Sequence, residues 1–239
     1  MENAERFLNA YAVIEHELQK ILDLKDHRRF YDMVDMAAKV NPVISRYKFD
    51  LREYGDLRNA IVHDRADGKI IAVPNDDTVA HIEAIASALV APPRVVPLFQ
   101  KKVLTLQTSD PMTQAIRLLS KYTYSQAPVL EQDTIAGLIT TSLIVRWMGH
   151  SLDEGTFDLE NTTVGAILDQ LKCMKCFEIV SAATSLYEIP ELFLSYQEHG
   201  GKLEAVLITR YGSNREPLLG IITNRDLPAV QRHLLGRKA

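Results

Sequence analysis

Gly137-Leu138-Ile139-Thr140-Thr141-Ser142-Leu143 and Gly220-Ile221-Ile222-Thr223-Asn224-Arg225-Asp226 are the two stretches on which the fold turns. Each is a glycine, two aliphatic residues and a threonine, followed by a run that opens a helix. Upstream of each lies a second apolar run, Ala127-Pro128-Val129-Leu130 in one case and Ala205-Val206-Leu207-Ile208 in the other. Short apolar runs bounded by turn-forming residues read as buried strands. The first stretch belongs to a strand Lys102–Leu106, a helix Pro111–Lys121, strands Ala127–Glu131 and Ala136–Thr140, and a helix Thr141–Gly149. From residue 162 the order returns: helix Val164–Leu171, strand Phe177–Val180, helix Ser185–His199, strands Ala205–Thr209 and Leu218–Thr223, and helix Arg225–Leu234. A repeat of roughly 75–80 residues with β-α-β-β-α order means two copies of one α/β unit, not a solenoid.

The end of the second copy carries chemistry. A strand ends at Thr223 and a helix starts there. The first helical turn has unpaired N–H groups and the positive end of the helix dipole, which suit a phosphate. The Thr223 hydroxyl can donate to the same phosphate. Asp226, one turn on, can accept from both hydroxyls of a ribose. Ile221 and Ile222 supply an apolar wall for a base. A ligand-free reading competes with this one: Thr223 as N-cap and Asp226 as the acid of a capping box. In the first copy Thr140 is kept but Leu143 replaces the acid, and leucine cannot bind ribose hydroxyls.

Glycine, two aliphatics, a hydroxyl residue, two variable residues and Asp resembles the ending of the CBS domain. The resemblance implies a tandem pair of such domains forming a disc, with clefts between the halves, that binds an adenine nucleotide (AMP, ADP, ATP or another adenosyl ligand). It also implies that the Asp226 cleft borrows Leu104 and Tyr124 from the first copy, with Tyr124 either stacking on the base or packing in the core. The second copy departs from the pattern, matching Ala205 to Pro128 and inserting a polar hairpin, Arg210–Pro217.

The first 91 residues read differently. Phe7, Tyr11, Ile14, Leu18 and Leu22 recur at helical spacing. A second helix is predicted over His27–Val40, ended by Asn41-Pro42. A third runs from Pro42 to His63 with Gly55 as a potential bend. Asp67-Gly68 turns the chain, Lys69–Val73 is extended, and Asn75 caps a last helix through Val79, Ile82, Ile85 and Leu89. Near the end of the third helix stands Arg58-Asn59-Ala60-Ile61-Val62-His63, which resembles the Arg-x4–6-His motif of HEPN domains. That resemblance implies a helical bundle, dimeric, in many cases a metal-independent ribonuclease. Histidine can act as general acid or base, and arginine can hold a phosphate and stabilise developing charge. Five residues on a helix span about 7.5 Å of rise, within reach of the Arg58 guanidinium. Asn59 and Asp64 are supporting candidates.

Composition bounds the rest. The 239 residues carry a net charge of −4 and 46% hydrophobic residues, a globular balance without a pull toward nucleic acid or membrane. Residues 1–93 hold 12 basic and 16 acidic side chains and so account for that charge, which weighs against tight RNA binding. No signal peptide or membrane span is read, and a cytoplasmic protein is expected. Cys173 and Cys176 form a single CxxC without a second pair at zinc spacing, so no metal is expected. Lys101 and Lys102 could meet a polyphosphate or form a solvated edge. Ala91-Pro92-Pro93 is a stiff boundary.

The reading is therefore multidomain: an all-α bundle over 1–91, then two α/β repeats over 94–152 and 160–236 packed as a tandem pair. The expected function is regulatory, a homodimeric nucleotide sensor whose bundle contacts a protein partner, with Thr223, Asp226, Ile221, Leu104, Tyr124 and Thr140 as ligand residues. The alternatives are a nucleotide-regulated ribonuclease acting on RNA through Arg58 and His63, and a dimerisation scaffold without ligand.

Overall fold

The computed structural model describes residues 2–24, 26, 28–63, 65–66, 69–70, 72–155, 157–171 and 176–235. His27, Asp64, the Asp67-Gly68 turn and Cys173 lie outside the described residues. Two compact units divide the chain, Met1–Pro93 and Arg94–Ala239.

The first unit is helical: α1 (Glu2–Ile21), α2 (Phe30–Ala37), α3 (Pro42–Val62) and α4 (Asp76–Val90), with a two-residue ladder between β1 (Arg65–Ala66) and β2 (Lys69–Ile70). The helical stripe of α1 is buried as its spacing demands, with Phe7, Ile14 and Leu18 fully inaccessible. Asn41 does more than end a helix. Its Oδ1 accepts from the amides of Val43 and Ile44 at 2.9 and 3.1 Å, and Pro42 fills the first helical position, where a missing N–H costs nothing. The second helix is shorter than His27–Val40. The bend in α3 falls at Tyr47 (φ −103°, ψ 17°) and not at Gly55. Gly55 is helical and buried, and a Cβ there would come within 3.1 Å of the Tyr31 ring. Its role is close approach, not bending.

The second unit contains two three-stranded sheets. In one, β3 (Leu106–Gln107), β4 (Gln126–Glu131) and β5 (Thr134–Thr140) are adjacent in that order. In the other the order is β6 (Phe177–Ser181), β7 (Ala205–Thr209) and β8 (Gly220–Thr223). In both, the first pair is parallel and the second antiparallel. Helices α6 (Met112–Tyr122) and α7 (Thr141–Glu154) accompany the first sheet, while α9 (Glu188–Glu198), a 3-10 turn (Asn224–Asp226) and α10 (Leu227–Leu234) accompany the second. Lys102–Thr105 are outside the β3 ladder, so the expected strand Lys102–Leu106 is reduced to its end.

Register corrects the match between repeats. Gly137 pairs with Val129 and Gly220 pairs with Ile208. Superposing the two glycines sets Ala127 against Val206 and Pro128 against Leu207, one residue away from matching the runs Ala127–Leu130 and Ala205–Ile208 in order and two away from matching Ala205 to Pro128. Burial agrees. Ala127, Val129 and Ile139 share a core with α6 and α7 residues, whereas Ala205, Leu207 and Ile221 pack with Ile135 and Leu138 in a second core. A one-residue slip would exchange those faces.

The segments leading into the repeats cross over. α5 (Val95–Leu98) precedes the first repeat in sequence. Yet the Val95 amide donates to Thr184 O and the Lys101 amide to Leu219 O, both at 3.0 Å. α8 (Val164–Leu171) precedes the second repeat, yet Val164 N bonds Asp110 O and Gly165 N bonds Thr108 O at 2.9 Å, and Val164 and Ile167 join the core of the first. Both crossings end on the equivalent glycines. A Cβ at Gly137 would lie 2.9 Å from Leu168 Cδ1, and one at Gly220 would overlap the Phe99 carbonyl oxygen.

Gly220→Ala is therefore expected to destabilise this unit by about 2–3 kcal/mol through overpacking against backbone. Gly149→Ala, in a helix with nothing within 4 Å of the added methyl, is expected to be neutral or stabilising by up to about 1 kcal/mol. Urea titration followed by the fluorescence of Trp147, the only tryptophan, reads this unit alone. Equal midpoints for both variants would refute the close approach.

Candidate functional site

A cavity of about 250 Å³ opens where β8 ends. Five of the sequence-predicted residues meet there: Leu104, Tyr124, Ile221, Thr223 and Asp226. They come from three places, the strap after α5, the turn after α6 and the end of β8. The strap arrives because Lys101 is bonded to Leu219. Thr123 ends α6 in the left-handed conformation (φ 55°) and brings Tyr124 round. Tyr124 is half exposed and stacks on Tyr122, ring centroids 5.7 Å apart at 21°. It is not a core residue.

Thr223 and Asp226 form the complete capping box. The Thr223 amide donates to Asp226 Oδ2 at 2.8 Å and the Thr223 hydroxyl donates to the same oxygen at 2.9 Å. The Thr223 side chain in turn accepts from the Asp226 amide. The hydroxyl proton expected for a phosphate is thus already placed on Asp226. Only Oδ1 faces outward, 3.7 Å from Lys101 Nζ. Lys101, Lys102 and Arg225 line the cavity against this one carboxylate, so the site carries a cationic excess.

Thr140 does not join them. It is buried, and its hydroxyl oxygen accepts from the Leu143 amide at 3.0 Å and pairs with Ser142 Oγ at 2.9 Å. Thr140 is the N-cap of α7 and lines two neighbouring cavities, one of about 250 Å³ shared with Thr223 and Arg225, and one of about 690 Å³ shared with Leu143 and Cys176. Its displacement follows from the repeat: Thr140 occupies, in the first copy, the place that Thr223 holds in the second. Arg225, Ser125 and Gln126 were not picked out from sequence as ligand residues. Arg225 stood at a variable position inside the quoted motif, and its charge was the available signal.

The Arg210–Pro217 hairpin does not line the Asp226 cavity. Glu216 folds it by accepting from the amides of Tyr211 and Ser213 at 2.8 and 3.3 Å, and these bonds, Tyr211 first, hold its carboxyl below the usual range. The Asn214 carbonyl accepts from Ile135, so the loop stitches the two repeats. Trp147 is buried and stacks on Phe157 at 5.5 Å.

In the first unit Arg58 and His63 do meet: Arg58 Nη1 lies 3.0 Å from His63 Nε2. Guanidinium has no acceptor, so Nε2 must be the unprotonated nitrogen. Arg58 also reaches Asn59 Oδ1 at 3.4 Å. Both side chains are near the surface, at the C-terminal end of α3. Among the described residues no group of three or more His, Cys, Asp or Glu side chains could hold a metal, and no helix is long and apolar enough to cross a membrane.

Residues 96–150 match the family model of the CBS domain. The chain is similar to a number of solved structures. CbpB in complex with c-di-AMP is 16% identical, with 64% of this chain and 93% of that chain covered and a TM-score of 0.46. CBSX2 in complex with AMP is 15% identical, covering 59% and 98%, with a TM-score of 0.45. The CBS domain of a CBS domain-containing membrane protein from Sphaerobacter thermophilus is 19% identical, covering 65% and 98%, with a TM-score of 0.46. No curated protein matches the sequence.

Without ligand, Thr223→Ala and Asp226→Ala are each expected to cost about 1 kcal/mol, the ordinary magnitude of a lost cap. Because both remove the same bonds, the double variant is expected to cost little more than either single one. Urea denaturation of the three variants checks this, and full additivity would mean that the box does not form.

Proposed function

We propose that the chain is a regulatory adenine-nucleotide sensor, a tandem pair of CBS domains with its ligand in the Asp226 cavity. The observation that carries the reading is the convergence of Leu104, Tyr124, Ile221, Thr223 and Asp226 on one cavity with Lys101, Lys102 and Arg225 at its wall. The match of residues 96–150 to the CBS family supports an adenosyl ligand. In this reading Asp226 Oδ1 accepts from the ribose, the apolar wall and the Tyr124 ring take the base, and the cations take the phosphate. A volume of about 250 Å³ sits just below the roughly 300–1,000 Å³ usual for small-molecule sites, which favours one nucleoside over two.

Regulation follows through the strap. Lys101–Leu104 belong both to the cavity wall and to the segment that leaves the helical bundle at Pro93. A ligand that prefers one setting of this strap shifts its equilibrium by that preference and no more. The bundle would then present the change to a protein partner, within a homodimer.

Calorimetric titration of AMP, ADP, ATP, S-adenosylmethionine and cyclic di-AMP is expected to give saturable binding of at least one. Asp226→Asn, which retains a capping oxygen, is expected to weaken it tenfold or more, about 1.4 kcal/mol. Absence of heat with every one of these compounds would leave a dimerisation scaffold in place of a sensor.

A second reading rests on the 3.0 Å contact of Arg58 with His63, the pair a HEPN-type ribonuclease uses. For His63 to act as base, Nε2 must exchange the arginine for a substrate hydroxyl, and Arg58 would move to the phosphate. RNA cleavage in chelator-containing buffer, lost in His63→Ala, is the expected result. Intact RNA with and without nucleotide would eliminate this activity.

A further inference from the structure

Three cavities of the second unit share walls. Ser125, Gln126, Thr223 and Arg225 line both the Asp226 cavity and the neighbouring one of about 250 Å³. Thr140, Ser142, Lys202 and Glu204 line both that neighbour and the cavity of about 690 Å³. The three form one trough, from Asp226 past Thr223 and Thr140 to Leu143. The repeat relates its ends, Thr223 to Thr140 and Asp226 to Leu143.

The ends differ in chemistry. Leu143 is almost fully buried and stands where the second copy has the acid. Tyr196, also at the far end, is committed to Glu178, to which its hydroxyl donates at 2.5 Å. The far end therefore repeats neither the acid nor its capping box. The middle differs from both. Every side chain lining it is polar, hydroxyls and amides chiefly, with two cations, Arg225 and Lys202, against one carboxylate, Glu204. Such walls do not favour a base. The Thr223 and Ser125 hydroxyls already donate to Asp226 and Gln126, and the Gln126 and Asn224 amides to the Glu204 and Leu203 carbonyls, so Arg225 and Lys202 are the donors that an anionic chain would use. Lys202 is exposed and now pairs at 2.8 Å with Glu204, whose carboxylate is mostly buried.

We infer that the trough selects a nucleoside di- or triphosphate over a monophosphate, with the nucleoside at the Asp226 end and the terminal phosphate in the polar middle, between Arg225 and Lys202. This rests on the nucleotide reading of the Asp226 cavity and adds what that reading leaves open, the length of the phosphate chain. Lys202 is then a specificity determinant. It is remote from the base and ribose and touches only what a monophosphate lacks.

Calorimetry of the full chain with AMP, ADP and ATP tests it. ADP and ATP are expected to bind at least tenfold more tightly than AMP. Lys202→Ala is expected to remove most of that advantage while leaving the AMP affinity within twofold, and Lys202→Arg is expected to retain it. Unchanged thermal unfolding of both variants confirms that the fold is intact. Equal affinities for the three nucleotides, or an equal loss for all three in Lys202→Ala, would overturn the inference and leave the sensor reading standing. Failure of all three to bind the unsubstituted chain would overturn both.

Discussion

The Lys101 amide donates to Leu219 and the Phe99 carbonyl lies against Gly220, so a segment that precedes the first repeat in sequence is built into the sheet of the second. Such a crossing needs backbone to meet backbone. Any side chain at Gly220 would hold the strap away from β8, and the remaining sheet bonds cannot form at a distance. At Gly137 the approach is instead by a side chain, Leu168 of α8, whose tip lies against the glycine. Two reciprocal crossings make each repeat complete only with a piece of the other's leader. They also decide where the cavity lies. Once Gln100 and Lys101 are fixed beside Gly220, Lys102–Leu104 must pass the end of β8, where Thr223 and Asp226 stand.

Asp226 carries two demands with one carboxylate. Oδ2 holds the Thr223 amide and hydroxyl, which closes the turn into α10. Oδ1 faces Lys101. The capping and ligand readings of this residue are thus not exclusive, since they use different oxygens. The cap aims the second oxygen, and fixed aim lowers the ordering cost of binding. In the first repeat Thr140 caps α7 alone, through Leu143 N. A leucine serves there because a cap needs only the threonine. What the substitution gives up is the outward oxygen.

Much of this was written in local pattern. Gly-aliphatic-aliphatic-Thr twice over announced a strand running into a helix, and both strands end at those threonines. The stripe from Phe7 to Leu18 announced α1, because a buried helical face must recur at steps of three and four. The Leu104, Tyr124 and Asp226 grouping came from family resemblance, not from spacing, since Asp226 stands more than 100 positions from the other two and residues so far apart carry no local sign of meeting. The misses share one cause. Ala127 matched Ala205 by identity, but pairing depends on which face each residue presents, and only the opposing strand fixes that. The bend assigned to Gly55 is instead at Tyr47, because a helical glycine marks either flexibility or close approach, and the Tyr31 ring that approaches comes from another helix. The crossing of α5 and α8 left no trace in sequence order, because each leader is adjacent in the chain to the repeat it does not join.

The same crossing gives a physical route for a signal. Lys101–Leu104 line the Asp226 cavity, and these residues follow the diproline boundary by fewer than a dozen positions. Prolines shorten the set of conformations that a linker can use to absorb displacement. The leader of the second repeat, α8, instead begins and ends within the second unit. Symmetry in the fold relates Thr223 to Thr140, and the departures from it are Leu143 in place of the acid and the strap that follows the diproline boundary.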